Sequence, residues 1–505
     1  MTAPVGSTTL GARGEELLAR FGDRPSLFFE GAWHTSGELA GRARRLAGGL
    51  AALGVQPGDR VVVCMTNCPE VGVAYSALWR AGAVPTPVLF LLTEPELRHV
   101  LTDSGAVAVI TTPEWLDKVR AAGPGLPLVV VGGSGEGVTP FEELERAEEL
   151  PLVERSPDDL AALLYTGGTT GRSKGVVLTH ASLDAAGAAA MAASHVPGET
   201  TTLVPLPLAH AYGLLVSVAG LHAPEPTTTV LMRWFDPAGA VALVAEHRVQ
   251  TASLIPSMIQ MLLAQPLEDA DLSSLTRVSS GGAPLALDVA HAFERRLPGV
   301  EVREGYGCTE TSALIATQPA GERRLGSVGK PIPAIELRIE GDEPGSSLPP
   351  GQDGEICVRG PVLMQGYWGA PEETAYALRD GWLHTGDVGR LDEDGYLYVV
   401  DRLKDLVIRN GFNVYPRDVE DALLEHPAVA AAAVVGRPDP AVGEEVVAFV
   451  QLSGTATEEE LLAHCRERIS AAKRPREVRV VDAIPLTSVF KTDRKALRAQ
   501  VRAEV

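Results

Sequence analysis

The sequence contains little cysteine. Its 505 residues include five cysteines, namely Cys64, Cys68, Cys308, Cys357 and Cys465. Their odd number and scattered positions exclude the disulfide framework of a small secreted domain. Cys64 and Cys68 are too widely separated for a C-x-x-C zinc motif, and no second Cys or His pair stands near them. We therefore expect buried free thiols.

Positive charge is also scarce. There are 44 basic against 65 acidic residues, and the formal net charge is -21. This balance argues against non-specific affinity for nucleic acid or anionic lipid. No apolar run nears the ~20 residues that a membrane helix requires, and the first residues lack a basic stretch followed by an apolar core. We expect a cytoplasmic protein that binds neither nucleic acid nor a membrane.

The length and the order of apolar segments predict an α/β protein with two domains. A chain of 505 residues exceeds the size at which a single core stops growing. Strand and helix patterns alternate through the N-terminal part, which predicts layered, largely parallel sheets. We expect an N-terminal domain over 1–401, with a β-rich part at about 328–400, and a small mobile α+β domain over 402–505.

A loop rich in glycine and threonine carries the first functional signal. Residues 165–175 read YTGGTTGRSKG, which combines backbone N–H donors with hydroxyls and cations, as polyphosphate binding requires. The loop lies between two predicted strands and lacks the Gly-Lys-Ser/Thr of a P-loop, so a nucleotide kinase or motor ATPase is disfavoured. A surface turn of the same composition is the alternative reading.

Five further segments follow in order, and with the loop they carry a family resemblance. They are PLPLAHAYG at 205–213, SSGGAPL at 279–285, GYGCTE at 305–310, LHTGD at 383–387 and DRLKD at 401–405. Together they resemble the adenylate-forming superfamily of acyl-CoA synthetases, peptide-synthetase adenylation domains and beetle luciferase. Residues 405–450 are most similar to bacterial fatty acyl-CoA ligases. Chance occurrence of so many ordered motifs is negligible.

The resemblance implies an acyl-adenylate-forming enzyme that uses ATP and Mg²⁺. Glu310 would hold the magnesium ion, Thr309 the α-phosphate, and His210 would line the acyl tunnel. The implied ATP and AMP contacts are Thr166, Gly167, Gly168, Thr169, Thr170, Lys174, Gly282, Ala283, Pro284, Tyr306, Gly307, Asp387 and Arg402. The implied acyl pocket contains His210, Gly213, Gly281, Gly305 and Cys308. Taken singly, Glu310 could instead be a helix-start carboxylate and Asp387 a turn residue.

The C-terminal domain is expected to supply the remaining groups. The resemblance assigns the adenylation lysine to Lys491, although Phe490 stands where the family has glycine and Lys495 is a nearby alternative. It places a hinge at Lys404, about which this domain would swing between adenylation and thioester formation. Gly411 and Phe412 would then line the tunnel for the thiol arm. A surface lysine is the alternative reading of Lys404.

The sequence identifies the acid and the thiol less narrowly than it identifies the adenylation reaction. The pocket motif offers no carboxylate to pair an amino acid's ammonium, and the 279–285 segment has no arginine to pair a second carboxylate. We expect a short to medium fatty or enoic acid, with an aryl acid as the alternative. The acceptor is coenzyme A, or alternatively the phosphopantetheine of an acyl carrier protein. A non-catalytic acyl or nucleotide binder and a luciferase-like oxygenase are the remaining alternatives.

Basic residues cluster in the C-terminal part despite the acidic whole. They are Arg409, Arg417, Arg437, Lys473, Arg474, Arg476, Arg479, Arg494, Lys495 and Arg498. Coenzyme A and acyl carrier protein are both anionic, so such a face would suit either acceptor. A merely solvated basic face is the competing interpretation.

Overall fold

A computed structural model describes residues 4–166, 173–319, 321–333, 335–341, 343, 345–410, 412–487 and 492–502. The chain divides into two compact units, Met1–Glu336 with Val358–Leu383 and Leu337–Cys357 with His384–Val505. The mixed α/β class, with a large N-terminal and a small C-terminal part, is confirmed. The domain boundary expected at residues 401–404 stays a prediction.

The first unit contains a five-stranded parallel sheet. Strand Arg60–Cys64 is almost wholly buried, and the helix Pro69–Arg80 connects it to the adjacent parallel strand Val84–Pro87. Helix Ser36–Ala52 begins with a capping box formed by Thr35 and Glu38. In spatial order the strands are Val84–Pro87, Arg60–Cys64, Ala108–Thr111, Leu128–Val130 and Thr139–Pro140.

A nine-stranded sheet in the same unit positions two of the motif segments. Strands Arg277–Ser280 and Glu301–Tyr306 are parallel neighbours, so the segments after them leave the same edge of the sheet. In spatial order the strands are Lys330–Pro331, Ala316–Thr317, Glu301–Tyr306, Arg277–Ser280, Thr251–Leu254, Thr201–Val204, Thr228–Leu231, Pro25–Phe29 and Ala32–Thr35. Aliphatic side chains from these strands and from helices Pro256–Leu263 and Leu287–Arg296 form its core.

The loop rich in glycine and threonine belongs to an antiparallel hairpin. Strands Leu160–Thr166 and Lys174–Thr179, which we call the phosphate hairpin, pair with Thr166 opposite Lys174. The short strand Gly366–Tyr367 adds to its free side, with Tyr367 opposite Val176. The expected position of the loop between two strands, unlike a P-loop, is thus confirmed.

The first unit is completed by helices and short elements. Asp236 caps the helix Pro237–Glu246 by accepting a hydrogen bond from the Gly239 amide. The α-helices are Leu10–Phe21, Ser36–Ala52, Pro69–Arg80, Glu94–Ser104, Leu116–Ala122, Phe141–Leu144, His180–Ser194, Ala211–Gly220, Pro237–Glu246, Pro256–Leu263, Leu287–Arg296 and Pro371–Ala377. The 3₁₀ turns are Pro113–Trp115, Leu267–Asp269 and Thr309–Thr311, and Leu378–Arg379 is a short strand.

The second unit contains two sheets. In the first, Gly354–Arg359 lies between Glu336–Glu340 and Trp382–Leu391, and Leu397–Arg402 pairs antiparallel with Trp382–Leu391. The second has the order Phe412–Val414, Val407–Arg409, Gly443–Leu452 and Val429–Asp439, with Glu477–Val480 parallel to Gly443–Leu452. Leu403–Asp405 is a 3₁₀ turn, and the helices are Pro416–Leu424, Glu458–Arg468 and Arg494–Arg502.

Two expectations about the whole chain can be compared with the structure. All five cysteines are free thiols, and all but the half-buried Cys308 are buried. Burial raises the pKa of the Cys64 thiol to about 12. Within the described ranges, no helix combines the length and the apolar character needed to cross a membrane.

Candidate active site

The GYGCTE segment forms a tight turn at the end of a strand. Strand Glu301–Tyr306 ends here, and the 3₁₀ turn Thr309–Thr311 follows. The amide of Ala313 donates to the Cys308 carbonyl at 2.9 Å. A Cβ added to Gly307 would lie 2.3 Å from the Ala313 carbonyl oxygen, so only glycine fits. The turn thereby places Thr309 and Glu310 at the edge of the sheet.

Glu310 is anchored from a segment far along the chain. Its backbone carbonyl accepts a hydrogen bond from the Met364 amide at 2.8 Å, and its Oε1 accepts one from the Tyr367 hydroxyl at 2.9 Å. Burial and the neighbouring Glu310 charge raise the pKa of Tyr367, so the phenol stays protonated and acts as the donor. A half-buried carboxylate held in this way has the hard oxygen donors that Mg²⁺ prefers.

The ends of the phosphate hairpin are also fixed. The ammonium of Lys174 lies 5.2 Å from the ring centroid of Tyr367 and 3.9 Å from Oε1 of Glu373. On the other strand, the Tyr165 hydroxyl donates to Asp103 Oδ2 at 2.6 Å. The expected contacts Gly167, Gly168, Thr169 and Thr170 lie outside the described residues. Of the loop's expected phosphate ligands, Thr166 and Lys174 are therefore the two whose positions can be given.

The ring of Tyr212 packs near the ends of the two parallel strands and, with the glycines there, forms what we call the wall. The Tyr212 hydroxyl donates to the Ser279 carbonyl at 3.2 Å, and burial raises the pKa of Tyr212 to about 12. A Cβ added to Gly281 would lie 3.3 Å from the Tyr212 ring and 3.5 Å from the Gly305 carbonyl oxygen. The wall thus consists of an aromatic ring and glycine backbone.

His210 and Gly213 begin the helix that carries Tyr212. Nδ1 of His210 accepts a hydrogen bond from the Tyr212 amide at 3.2 Å, so in the neutral ring the proton is on Nε2. A Cβ added to Gly213 would lie 2.2 Å from the Pro207 carbonyl oxygen. Gly213 therefore has a packing role, and its place in the acyl pocket stays a prediction.

The residues that the resemblance placed beside the nucleotide include Gly282, Ala283 and Pro284, which follow strand Arg277–Ser280. Gly282 has φ +81°, a conformation that favours glycine, and it turns the chain away from the sheet. Gly282 and Pro284 are exposed, whereas Ala283 is half-buried. Tyr306 is half-buried at the end of the neighbouring strand. These surroundings are compatible with one face of a nucleotide site.

In the second unit, Asp387 and Arg402 form an ion pair across two antiparallel strands. They are register partners, and Arg402 Nε lies 3.0 Å from Asp387 Oδ1. The side chain of Asp387 is 7% exposed and that of Arg402 is 49% exposed. Glu355 supports the preceding turn, because its two oxygens accept from His384 Nδ1 at 2.8 Å and from the Gly386 amide at 3.0 Å. These hydrogen bonds fix the turn before Asp387, so the Asp387 carboxylate is held in position for polar contacts.

The other residues expected from the second unit are partly described. Lys404 is exposed within the turn Leu403–Asp405, and Phe412 is 62% exposed. Gly411, Phe490 and Lys491 lie outside the described residues. On either side of the segment that contains Lys491, Leu486 and Thr492 form an antiparallel bridge.

The basic cluster of the second unit is largely neutralised by ion pairs. Six of the ten cations contact a carboxylate within 3.0 Å, in the pairs Arg409–Glu445, Arg437–Glu477, Lys473–Asp418, Arg479–Glu477, Arg494–Glu420 and Arg498–Asp405. Arg476 and Lys495 are exposed. The cluster therefore offers an anionic acceptor less charge than its residue count suggested.

One group of side chains in the second unit has the composition of a metal site. Ligand atoms of Glu340, Cys357 and His384 lie within 4.8 Å of one another. However, a guanidinium nitrogen of Arg338 lies 2.5 Å from Glu340 Oε2, and His384 Nδ1 is bonded to Glu355. Because Arg338 already supplies the positive charge, we assign no metal here.

Two residues of these sites were missed in the sequence. Tyr212 lies inside the PLPLAHAYG segment, but the resemblance gives roles there to His210 and Gly213 and none to Tyr212. Tyr367 lies 57 residues from Glu310, and no spacing rule connects them. Its signal was the adjacent pair Tyr367 and Trp368 in a chain with 5% aromatic residues.

Comparisons with known proteins identify the family of the chain. A family model described as AMP-binding enzyme matches residues 15–368, and one described as AMP-binding enzyme C-terminal domain matches residues 418–491. A feruloyl-CoA synthase from Amycolatopsis sp is 40% identical over 93% of each chain. A long-chain-fatty-acid–CoA ligase from Escherichia coli O6:H1 is 34% identical, covering 97% of this chain and 94% of the relative.

A solved structure extends the agreement to the fold. The o-succinylbenzoate CoA synthetase of Bacillus subtilis, in complex with its acyl-adenylate intermediate, has a TM-score of 0.86 and 30% identity. The match covers 96% of this chain and 97% of that chain. The motif order, the fold and the relatives together lead to one conclusion: the chain belongs to the AMP-binding enzyme family and is an AMP-forming acid–thiol ligase.

Proposed function

We propose that the chain activates an apolar enoic acid with an aryl end, a 3-arylpropenoic acid, and transfers it to coenzyme A. The observation that carries this choice is the wall of Tyr212, Gly281 and Gly305, where an aromatic ring packs against glycine backbone; such a flat surface would suit a flat conjugated acid. The identity to the feruloyl-CoA synthase supports it, at 40% against 34% for the long-chain-fatty-acid ligase. The choice unites the enoic and aryl acids expected from the sequence.

In the first step, a carboxylate oxygen attacks the α-phosphorus of ATP, and the bond to pyrophosphate breaks. Both reactants are anionic, so the site has to neutralise charge and align the groups. Thr309 would contact the α-phosphate, while Lys174 and the hairpin residues Thr166, Gly167, Gly168, Thr169 and Thr170 would hold the departing pyrophosphate. Lys491 would contact the substrate carboxylate and the α-phosphate.

The carboxylate of Glu310 fits the role of magnesium ligand. It offers hard oxygen donors and is held by Tyr367. When bound, Mg²⁺ would neutralise phosphate charge. Asp387 would accept hydrogen bonds from the ribose hydroxyls with Arg402 beside it, and Tyr306, Gly307, Gly282, Ala283 and Pro284 would surround the adenine.

In the second step, the thiol sulfur attacks the acyl carbonyl carbon, and AMP leaves with the bonding electrons. Lys404 would act as the hinge, and Gly411 and Phe412 would line the path of the thiol arm. His210 and Cys308 would lie beside the acyl group. Coenzyme A is our first choice of acceptor because the relatives named above are CoA ligases. An acyl carrier protein is the second.

The test is pyrophosphate release with ATP, Mg²⁺ and a panel of ferulate, cinnamate, hexanoate and octanoate. We then add coenzyme A or a phosphopantetheinylated carrier protein and look for the thioester by mass spectrometry. We expect the aryl acids to give the highest kcat/KM and coenzyme A to be the acceptor. Pyrophosphate release only with the alkanoates would contradict the proposed arylpropenoic acid. Thioester found only on the carrier protein would contradict coenzyme A as the acceptor.

A lysine substitution tests the proposed division of the two steps. Lys491→Ala is expected to lose pyrophosphate release but to keep thioester formation from preformed acyl-AMP. Lys495→Ala, which changes an exposed lysine four residues away, is the matched control and is expected to keep both activities. Unchanged pyrophosphate release in Lys491→Ala would contradict the assignment.

A further inference from the structure

Tyr367 contacts both charged groups that the proposed function places on the polyphosphate. Its hydroxyl donates to Glu310 Oε1 at 2.9 Å, and the Lys174 ammonium lies 5.2 Å from its ring centroid. Its strand adds to the phosphate hairpin, with Tyr367 opposite Val176. One side chain therefore connects the carboxylate on the GYGCTE turn to the cation of the hairpin.

We propose that Tyr367 is a positioning residue that aligns Glu310 and Lys174, so that Mg²⁺ and the polyphosphate bind as one unit. The inference rests on the roles proposed above for Glu310 and Lys174. Tyr367 itself need not touch the reacting atoms, because it acts through these two side chains.

The hydrogen bond determines how Glu310 is presented. Because the Tyr367 hydroxyl already uses one lone pair of Oε1, we take Oε2 as the first oxygen offered to a cation. Partners that orient a metal-binding carboxylate restrict its rotation and raise metal affinity. A carboxylate so oriented loses less rotamer entropy when the metal binds.

The contact with the Tyr367 ring determines the position of the Lys174 ammonium before a polyphosphate binds. The aromatic face attracts the ammonium, and Glu373 Oε1 lies 3.9 Å from it. Neither contact buries the cation, since the Lys174 side chain is 27% exposed. A polyphosphate carries more negative charge than Glu373 and can therefore draw the ammonium away without a large desolvation cost.

A purely structural role for Tyr367 would rest on different atoms. Its backbone amide donates to Thr374 Oγ1 at 2.8 Å, and its strand pairing with Val176 also uses the backbone. Substitution by phenylalanine preserves these bonds and the ring. Tyr367→Phe therefore removes the Glu310 hydrogen bond alone, whereas Tyr367→Leu removes the bond and the ring contact.

Tyr398 provides a matched control. Its hydroxyl lies 3.3 Å from Asp392 Oδ2 and its ring centroid 5.5 Å from the Arg390 guanidinium. It thus makes the same two kinds of contact with residues that have no proposed role in the reaction. Tyr398→Phe is expected to behave as the unsubstituted protein.

The experiment compares Tyr367→Phe, Tyr367→Leu, Tyr398→Phe and Glu310→Gln with the unsubstituted chain. One readout is the Mg²⁺ concentration for half-maximal pyrophosphate release. The second, independent of turnover, is calorimetric binding of α,β-methylene-ATP with and without Mg²⁺. For Tyr367→Phe we expect the Mg²⁺ requirement to rise about tenfold, with metal-free nucleotide binding unchanged. Tyr367→Leu should weaken metal-free binding as well.

The outcomes separate this inference from the proposed function. If Glu310→Gln raises the Mg²⁺ requirement and Tyr367→Phe does not, the inference is wrong and the role of Glu310 stands. If Glu310→Gln leaves the Mg²⁺ requirement unchanged, the assignment of Glu310 is wrong and the inference with it. A Tyr367→Phe protein that melts earlier and binds nucleotide equally poorly with and without Mg²⁺ would show a structural role and overturn the inference.

Discussion

The two units hold their motif residues by different means. In the first unit, backbone packing fixes the site, since a Cβ on Gly307 or Gly213 would lie within 2.3 Å of a carbonyl oxygen. In the second unit, ion pairs hold the motif residues. Arg402 Nε lies 3.0 Å from Asp387 Oδ1, and Arg498 Nη2 lies 2.6 Å from Asp405 Oδ1.

The difference indicates which perturbations each unit tolerates. Close-packed backbone cannot shift by fractions of an ångström without moving the residues next to it, so substitutions there have large effects on the site. An ion pair with one exposed partner, such as Asp387 with Arg402, contributes less and responds to charge substitution. Lys491 apart, the first unit should therefore determine the geometry of the reaction, and the ion pairs of the second should adjust nucleotide affinity.

The largest effect is expected from Gly307→Ala. The new methyl group would collide with the Ala313 carbonyl and displace Thr309 and Glu310. A displacement of about 1 Å at a reacting centre costs about 100-fold in rate, so we expect at least that loss in pyrophosphate release. Gly72→Ala is the control, because a Cβ there meets nothing within 4 Å. Normal kinetics in Gly307→Ala would contradict the packing account.

A second large effect is expected at Asp184, a charged exception within the first unit. Its buried carboxylate accepts from Arg13 Nε at 3.0 Å and from the Gly6 amide at 2.7 Å, and His222 Nε2 lies 2.9 Å away. Asp184→Asn removes the fully buried counter-charge of Arg13, whose other carboxylate partner, Glu16, is partly exposed, so we expect a loss of about 3 kcal/mol in the free energy of unfolding. Urea denaturation at pH 7 measures it.

The same residue predicts a pH dependence. Burial alone would raise the pKa of Asp184, but hydrogen bonds from His222 and Arg13 outweigh it and lower the pKa to about 2. The unfolded chain therefore binds this proton more tightly, and the stability from Asp184 is present above about pH 4 and lost as the pH falls towards 2. Between pH 7 and 3, Asp184→Asn should lose less stability than the unsubstituted chain. Parallel curves would refute the prediction.

An intermediate effect is expected from Asp387→Asn in the second unit. The substitution keeps the shape of the side chain but removes its charge from the proposed ribose contact and from Arg402. Hydrogen bonds to charged groups contribute about 1.5–3 kcal/mol, so KM for ATP should rise about tenfold or more, with KM for the acid unchanged. Asp353→Asn breaks a comparable pair with Arg390 and is the control. A rise in both KM values would argue against a nucleotide-specific role.

Local signals in the sequence were sufficient for part of this structure. The capping boxes at Thr35 and Thr457 join residues three apart, so their sequence pattern contains the whole interaction. The phosphate hairpin was likewise predictable from two apolar runs around one loop. The contacts of Glu310 with Tyr367 and of Glu355 with His384 were not, because they depend on how distant strands align.

The pairing of charges was equally hidden. Arg494 and Glu420 are 74 residues apart, and they meet because the helices that carry them both pack against the strand Val429–Asp439. Counting basic residues therefore overstated the positive face of the second unit. Composition gives net charge, but the charge available to a ligand depends on tertiary structure.

The smallest effect is expected from Tyr212→Phe. It removes a hydroxyl that donates to the Ser279 carbonyl at 3.2 Å and leaves the ring against Gly281. One neutral hydrogen bond contributes about 1 kcal/mol, so KM for the acid should rise about fivefold while KM for ATP stays constant. If KM for ATP rises instead, the wall belongs to the nucleotide rather than to the acid.

The most direct test of the account is exchange of labelled pyrophosphate into ATP, measured with ferulate and Mg²⁺ and without any thiol. Formation of acyl-AMP is reversible and needs only the acid, so we predict exchange that depends on ferulate and is lost in Glu310→Gln. Exchange that requires coenzyme A, or no exchange with any acid of the panel, would contradict an acyl-adenylate intermediate.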